Sequence, residues 1–294
     1  MNTMPLNYGQ PKKHIARRII TITLSILALL LAVAVMLVWM FWDRLTAPNQ
    51  SDVSSDPQTQ YEEPLTSVDS TLVILDFPDV KRYLLVQSVP ARNTIHVVNI
   101  PANLAIKETD TLSTLLEKHG SLRVTQAVSE ALALPVNHYL TLSPSGAYAF
   151  LKDLERGVSY NLPEDVQYTD ENGNSTRLKA GEQLLSGVQV SGVLRYNGWK
   201  STSNENIAAS IIAALINQYV VPNQRLDGYF AALADTAQTD LRIDNYNAFR
   251  RILTHLATNN NGLLCRVVTL IGTETDGRFI PDVDAMRSQT HLYS

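Results

Sequence analysis

Few residues of this chain have the type and spacing that chemistry requires. The six histidines form no HxH or HExxH pattern and the single cysteine, Cys265, forms no CxxC, so no zinc site is expected. Cys265 lies in the apolar run LLCRVVTLI, which predicts a buried, inert thiol. Ser191, in VSGVL, has neither a G-x-S-x-G context nor a partnered histidine, so no hydrolase triad is expected. Asp170-Glu171-Asn172-Gly173-Asn174 begins like a calcium loop, but Gly181 stands where the distal glutamate would be, and a hairpin turn is predicted instead. There remain the charges. Asp76 and Asp79 flank Phe77-Pro78 and suit a turn. Lys81 and Arg82 follow them and read as solvated charges between strands. Arg195 closes the apolar VSGVL and is placed at a strand end, either as an ion-pair partner or as a ligand for an anion. His138, before Tyr139 in a predicted strand, reads as core.

The elements that must position these groups alternate between strand and helix patterns. Strands are predicted over 71–77, 83–89, 94–100 and 137–143, with Pro90-Ala91-Arg92-Asn93 as a turn. Residues 111–134 have helical spacing, split by Gly120. Residues 143–157 read as a helix capped by Ser143 and stopped by Gly157. Residues 158–187 read as a short strand, a turn at Asn172-Gly173, another strand and a small helix. Helices follow over 208–220 and 246–257, then a β-rich run over 263–271. This alternation predicts an α/β fold with a mostly parallel or mixed central sheet covered by helices. In the 208–220 region, Ile207, Ile211, Ile212, Leu215 and Ile216 fit either an ordinary core or the wall of a lipid tunnel.

Ahead of this domain stands a charge-free apolar run of 24 residues, 19–42. A helix needs about 20 apolar residues to cross a bilayer. Lys12, Lys13, Arg17 and Arg18 precede the run, which predicts a cytoplasmic tail over 1–18 and an extracellular C-terminal portion. The run is longer than a signal-peptide core and no A-x-A follows it, so an uncleaved anchor is expected rather than a signal peptide. Residues 43–70 are rich in Ser, Asp, Gln and Pro and read as a flexible stalk; residues 71–294 form the extracellular domain. The chain carries a formal net charge of −4; setting aside the four tail cations, with Asp43 cancelling Arg44, leaves −8 outside. That charge argues against a nucleic-acid partner.

Four stretches, at 94–106 (TIHVVNIPANLAI), 134–168, 177–197 (RLKAGEQLLSGVQVSGVLRYN) and 269–286 (TLIGTETDGRFIPDVDAM), in their order and spacing resemble the LytR–CpsA–Psr family of cell-envelope proteins. TIHVVNIPANLAI is similar to the family strand ending in I-P-R-D. LPVNHYLTLSPSGAYAFLKDLERGVSYNLPEDVQY is similar to its G-I-P-I-D-H-Y, F-x-G-F and V-D-x-L-G-G-V-x-V segments. RLKAGEQLLSGVQVSGVLRYN resembles the stretch ending in R-x-R, and TLIGTETDGRFIPDVDAM resembles the closing L-P-G and Y-x-x-P-D motif. The resemblance covers about residues 71–288. It implies an extracellular α/β domain behind one membrane span. It also implies transfer of a phosphoglycosyl polymer from a polyprenyl pyrophosphate lipid to the cell wall with Mg²⁺. Such a site needs arginine forks on the pyrophosphate, carboxylates on the metal, and an apolar tunnel for the lipid.

The departures from the family fall on those polar groups. I-P-R-D reads Ile100-Pro101-Ala102-Asn103, so Ala102 and Asn103 replace an arginine and a carboxylate. R-x-R reads Arg195-Tyr196-Asn197, so Asn197 replaces the second arginine. The helix that carries further family arginines reads SNENIAASII. The R-S-D-T motif aligns with Asp79-Val80-Lys81-Arg82. Arg195, Arg82 and Lys81 are then the candidate phosphate ligands and Asp76 and Asp79 the candidate carboxylates, with no assured metal. Each lost charge-assisted bond removes roughly 1.5–3 kcal/mol. The expectation is a catalytically impaired member that binds polyprenyl-linked glycopolymer, or acts as a scaffold or regulator; the alternative is an active phosphotransferase with Mg²⁺. The implied partners are membrane lipid, a polyprenyl phosphate or pyrophosphate glycolipid, and cell-wall polymer.

Overall fold

The structure is a computed structural model and describes residues 68–107, 111–152, 156–170, 173–199, 206–219, 231–233, 235–259, 262–290 and 292–293. All belong to the compact unit Glu62–Ser294. The expected tail, membrane span and nearly all of the stalk lie outside the described residues, as does Asn172. Among the described residues no helix is long and apolar enough to cross a membrane.

Strands β1 (Asp69–Asp76), β2 (Lys81–Val89) and β3 (Thr94–Ile100) form an antiparallel meander. The four residues joining β1 to β2 permit no other direction, since a parallel return needs a long crossover. A 3₁₀ turn over Pro90–Arg92 makes the second reversal, with Asn93 in the left-handed region at φ 51°. Helix α1 (Leu112–Leu132) is two helical pieces joined at Gly120, whose φ of 75° is open to glycine but strained for other residues. Thr111 caps it by accepting from the Thr114 N–H at 3.2 Å. α1 returns the chain to β4 (His138–Leu142), which pairs parallel to β1.

Helix α2 (Pro144–Lys152) follows, with the Ser143 hydroxyl accepting from the Gly146 N–H at 3.1 Å. Next come two nested antiparallel pairs. β5 (Val158–Leu162) pairs with β8 (Gly181–Leu185), and β6 (Val166–Thr169) with β7 (Ser175–Leu178). Helices α3 (Gly187–Arg195) and α4 (Ile207–Tyr219) come after them. Then come β9 (Ala237–Thr239), α5 (Ile243–Asn259), β10 (Cys265–Val268), β11 (Gly272–Thr275), β12 (Arg278–Pro281) and α6 (Val283–Gln289).

The main sheet has the order β10-β3-β2-β1-β4-β9. Only β10–β3 and β1–β4 are parallel; the other three pairings are antiparallel. The sheet is therefore mixed, and a mostly parallel one is ruled out by the short loops of the meander. Alternate residues of each strand feed two cores. Leu75, Leu84, Ile95, Val97, Leu140 and Leu142 pack under α2, α3, α4 and α5. Leu72, Ile74, Tyr83, Leu85, Val98 and Ile100 pack under α1 and α6. Helices thus cover both faces.

Two local expectations are corrected. The small helix predicted before Ser186 is strand β8, bonded along β5. The predicted strand end at VSGVL is helix α3. Ser186 and Gln189 form a reciprocal capping box that starts it, so Ser186 accepts from the Gln189 N–H and the Gln189 side chain accepts from the Ser186 N–H. Arg195 is therefore the last residue of a helix.

Cys265, 2% exposed on β10, is the buried thiol expected, and burial pushes its pKa up to about 12. A native protein at pH 8 should therefore give no thiol titre with a disulfide reagent, and one equivalent after denaturation. Burial also raises the Tyr83 hydroxyl to about 12. Both folded values lie above unfolded values of about 8.5 and 10, so their contribution is intact below about pH 8.5 and is lost as pH rises toward 12. The urea midpoint should be flat from about pH 7 to 8 and fall above about pH 9.

Candidate functional site

A cleft of about 590 Å³ opens where the β1–β2 loop, α2, β6 and α3 meet. It gathers Asp79, Arg195 and Asn197 among the residues that the sequence singled out. Asp79 and Asn197 are exposed, and Arg195 is half-buried. The Arg195 guanidinium carbon lies 6.0 Å from the centroid of the Phe77 ring, and Phe77 is fully buried. The ring gives the cation an apolar seat on one side and leaves it among the cleft-lining groups.

Lys81 and Arg82 do not line this cleft. Lys81 pairs with Asp76 at 2.5 Å and lies 3.6 Å from Glu117. Arg82 donates from Nε to the Leu194 carbonyl at 3.2 Å and from Nη2 to the Tyr196 carbonyl at 2.6 Å. Burial lowers its pKa. Those carbonyls are among the unsatisfied acceptors at the C-terminal end of α3, where a cation is favoured. Arg82 thus holds the end of the helix that presents Arg195.

Ala102 and Asn103 lie at a different place, against the β11–β12 hairpin. The Asn103 side-chain Nδ2 donates to Glu274 Oε1 at 3.2 Å and to the Gly277 carbonyl at 3.1 Å. Asp170 lines the cleft, but its carboxylate closes the β6–β7 turn. It accepts from the Asn174 N–H at 2.8 Å and from Asn174 Nδ2 at 3.1 Å. This is the hairpin turn that the sequence predicted. Ser191 lines the cleft as well, without a histidine among the other lining residues. His138 stands on β4, with Nδ1 3.4 Å from Asp240.

Magnesium takes hard oxygen ligands in a near-octahedral set, usually one or two carboxylates with water and substrate phosphates. Asp76 is engaged by Lys81 and Asp170 by Asn174. Asn103 presents an amide already donated elsewhere, which leaves Asp79 as the one cleft carboxylate among the described residues without such a bond. Among the described residues no group of three or more His, Cys, Asp or Glu could hold a metal ion. Asp79 is the described cleft residue that could hold the ion, and water and ligand phosphate oxygens would have to complete its shell.

Directly beside the cleft lies a second feature of opposite character. An apolar cavity of about 240 Å³ sits over the β1–β4 face of the sheet, between Val73, Leu75, Leu140 and Leu142 below and α2, α4 and α5 around it. Ile212, Leu215 and Ile216 of α4 line it, while Ile207 and Ile211 are buried in the core. Helices α2 and α3 wall both spaces. Tyr148 and Arg195 line the cleft, and their neighbours Ala147 and Leu194 line the cavity. Helix α4 itself carries no cation over Ile207–Tyr219.

Sequence reasoning gave no weight to Tyr148, Tyr168 or Gly192. The Tyr168 ring packs so closely on α3 that a Cβ at Gly192 would fall 2.0 Å from its Cζ. An isolated glycine inside a helix marks such a close approach, and that was the available signal. Gly192→Ala should push Tyr168 off the helix and reshape the cleft at a cost of roughly 1–3 kcal/mol. Thermal unfolding and the Tyr168 fluorescence environment report it.

The model of the LytR_cpsA_psr family matches residues 66–265. Among solved structures, the fold is similar to a Eubacterium siraeum protein described as a transcription regulator. That pair shares 19% identity at a TM-score of 0.67, covering 81% of this chain and 95% of that one. It is also similar to B. subtilis TagV, with 14% identity, a TM-score of 0.60, and 76% and 94% coverage. TagT bound to LI-WTA is similar at 14% identity and a TM-score of 0.55, with 76% and 87% coverage. No functionally curated sequence matches.

Proposed function

The chain belongs to the LytR_cpsA_psr family, and from that premise we propose that it binds a polyprenyl-linked glycopolymer of the cell envelope without transferring it. The observation that carries this reading is the shared wall of the cleft and the cavity. A lipid-linked anion has a charged head next to an apolar tail. Here Arg195 lines a polar cleft, and its neighbour Leu194 lines an apolar cavity. Burying a tail in such a cavity stabilises by roughly 25 cal/mol per Å² of apolar surface removed from water. TagT, whose fold this chain shares, has been solved bound to LI-WTA, which supports a ligand of this class. Residues 19–42 would anchor the chain in the membrane, with the tail inside and the stalk carrying the domain outside.

The same residues argue against transfer. Phosphoryl chemistry depends on fixed charges around the transferring group. In this cleft Arg195 is the only cation among the described lining residues, and Asn197 is neutral. Full-length protein, given a polyprenyl-pyrophosphate oligosaccharide, Mg²⁺ and a cell-wall acceptor, is expected to release no polyprenyl phosphate. Release that collapses on Asp79→Asn would establish the transferase alternative instead.

A further inference from the structure

A second polar cleft, of about 740 Å³, lies at the β10 edge of the sheet. The turn after β2 supplies Arg92 and Asn93, β3 supplies Thr94 and His96, and β10 supplies Arg266. Asn259 and Gln289 stand at its rim. His96 and Arg266 are register partners on adjacent strands. His96 shares the face of Val98, two residues on, and Val98 packs in the core under α1 and α6. Val267, on the other face of β10, lines the cleft as well and packs toward the core beside the apolar cavity, so the cleft wraps the β10 edge, three strands from β1 and four from β4.

Its chemistry differs from that of the surrounding molecule. The described lining has two arginines, one histidine and no carboxylate, in a chain whose net charge is −4. Both guanidiniums are exposed, and no described carboxylate pairs with either. A guanidinium fork matches phosphate oxygens, and an exposed pair without acidic neighbours attracts a polyanion. Among the described lining residues there is no Phe, Tyr or Trp, so bases and sugar rings find no such stacking platform on them. Leu263, Val267 and Val268 add apolar surface, and the uncharged polar groups that remain are amides and hydroxyls, which suit the hydroxyls of an acyclic chain.

We propose that this cleft binds the phosphodiester backbone of a polyol-phosphate polymer, with Arg92 and Arg266 as its phosphate ligands. The proposal rests on the function above for its substrate class. It adds that the polymer is gripped at the β10 edge of the sheet, away from the β1–β4 cavity proposed for its lipid end.

The test uses full-length protein in detergent and a lipid-free probe, a poly(glycerol phosphate) oligomer, at low salt. Its failure is therefore separable from failure of lipid binding. Wild type is expected to bind, and the Arg92→Gln/Arg266→Gln variant to bind at least about tenfold more weakly with a shallower salt dependence. Lys107→Gln/Arg123→Gln, which removes equal charge elsewhere, is expected to bind within about twofold of wild type. Equal weakening in the two double variants would reduce the effect to net charge and overturn the proposal. No wild-type binding, or binding lost on Arg195→Gln and retained in Arg92→Gln/Arg266→Gln, would also overturn it. Both arginines are exposed, and an unchanged melting temperature verifies that the variant is folded.

Discussion

Arg82→Ala is expected to lower the stability of residues 62–294 by about 3 kcal/mol, since each hydrogen bond to a charged group contributes roughly 1.5–3 kcal/mol. For a domain of this size that is a fall of roughly 6–12 °C in melting temperature. The two carbonyls it serves, Leu194 and Tyr196, would be left at a half-buried helix end with the C-terminal negative dipole uncompensated. The Arg195 side chain and the Tyr196–Trp199 edge-to-face pair, with centroids 5.1 Å apart, hang from that turn. Ligand binding should therefore weaken in Arg82→Ala even below its melting temperature. Arg82→Lys keeps the charge but loses the two-point fork, so it should recover a minority of the stability. If Arg82→Ala instead unfolds within 1–2 °C of wild type, Arg82 is not the clasp described.

The second large effect concerns the apolar cavity. Ala147 is 1% exposed and lines it, and Ile212 lines it from the opposing helix α4. Ala147→Phe would project a ring into space that is apolar and already present. Filling a cavity recovers contacts that its lining lacks, so stability should stay within about 1 kcal/mol of wild type or rise. A polyprenyl tail would then find the space occupied, and affinity for a polyprenyl ligand should fall at least about tenfold, the equivalent of roughly 1.4 kcal/mol. Ile212→Phe fills the same space from another wall and guards against local overpacking at Ala147. Equal affinity in both variants would move the tail elsewhere.

The parts of the fold that were legible in the sequence are those where one local rule dominates. The runs 71–77, 83–89 and 94–100 alternate or continue in β-branched residues and became β1, β2 and β3. Gly120 divides α1 where the sequence divided it. Of the two sheet types expected, mostly parallel or mixed, the mixed one is present; βα alternation alone left the choice open, although the four residues between β1 and β2 already demanded an antiparallel pair. VQVSGVL has the composition of a strand, and only the Ser186–Gln189 capping box reveals the helix. β9 has three residues without an apolar pattern, and tertiary pairing with β4 alone makes it a strand.

The candidate site was less legible, because it is assembled from distant segments. Asp79 and Arg195 meet through the packing of the β1–β2 loop near α3, which no spacing encodes. Arg82 reads as a surface charge in KRY, yet its partners stand 112 and 114 residues away. The Tyr168–Gly192 contact joins a strand to a helix across a turn that the sequence only sketched.

The measurement that bears most directly on the central claim is titration of polyprenyl pyrophosphate into full-length protein in Mg²⁺ and in EDTA, for wild type, Arg195→Ala and Ala147→Phe. The account predicts the same affinity in Mg²⁺ and EDTA within about twofold, a partial loss in Arg195→Ala, and a loss of at least about tenfold in Ala147→Phe. Binding that requires Mg²⁺, disappears in Arg195→Ala and is indifferent to Ala147→Phe would contradict it.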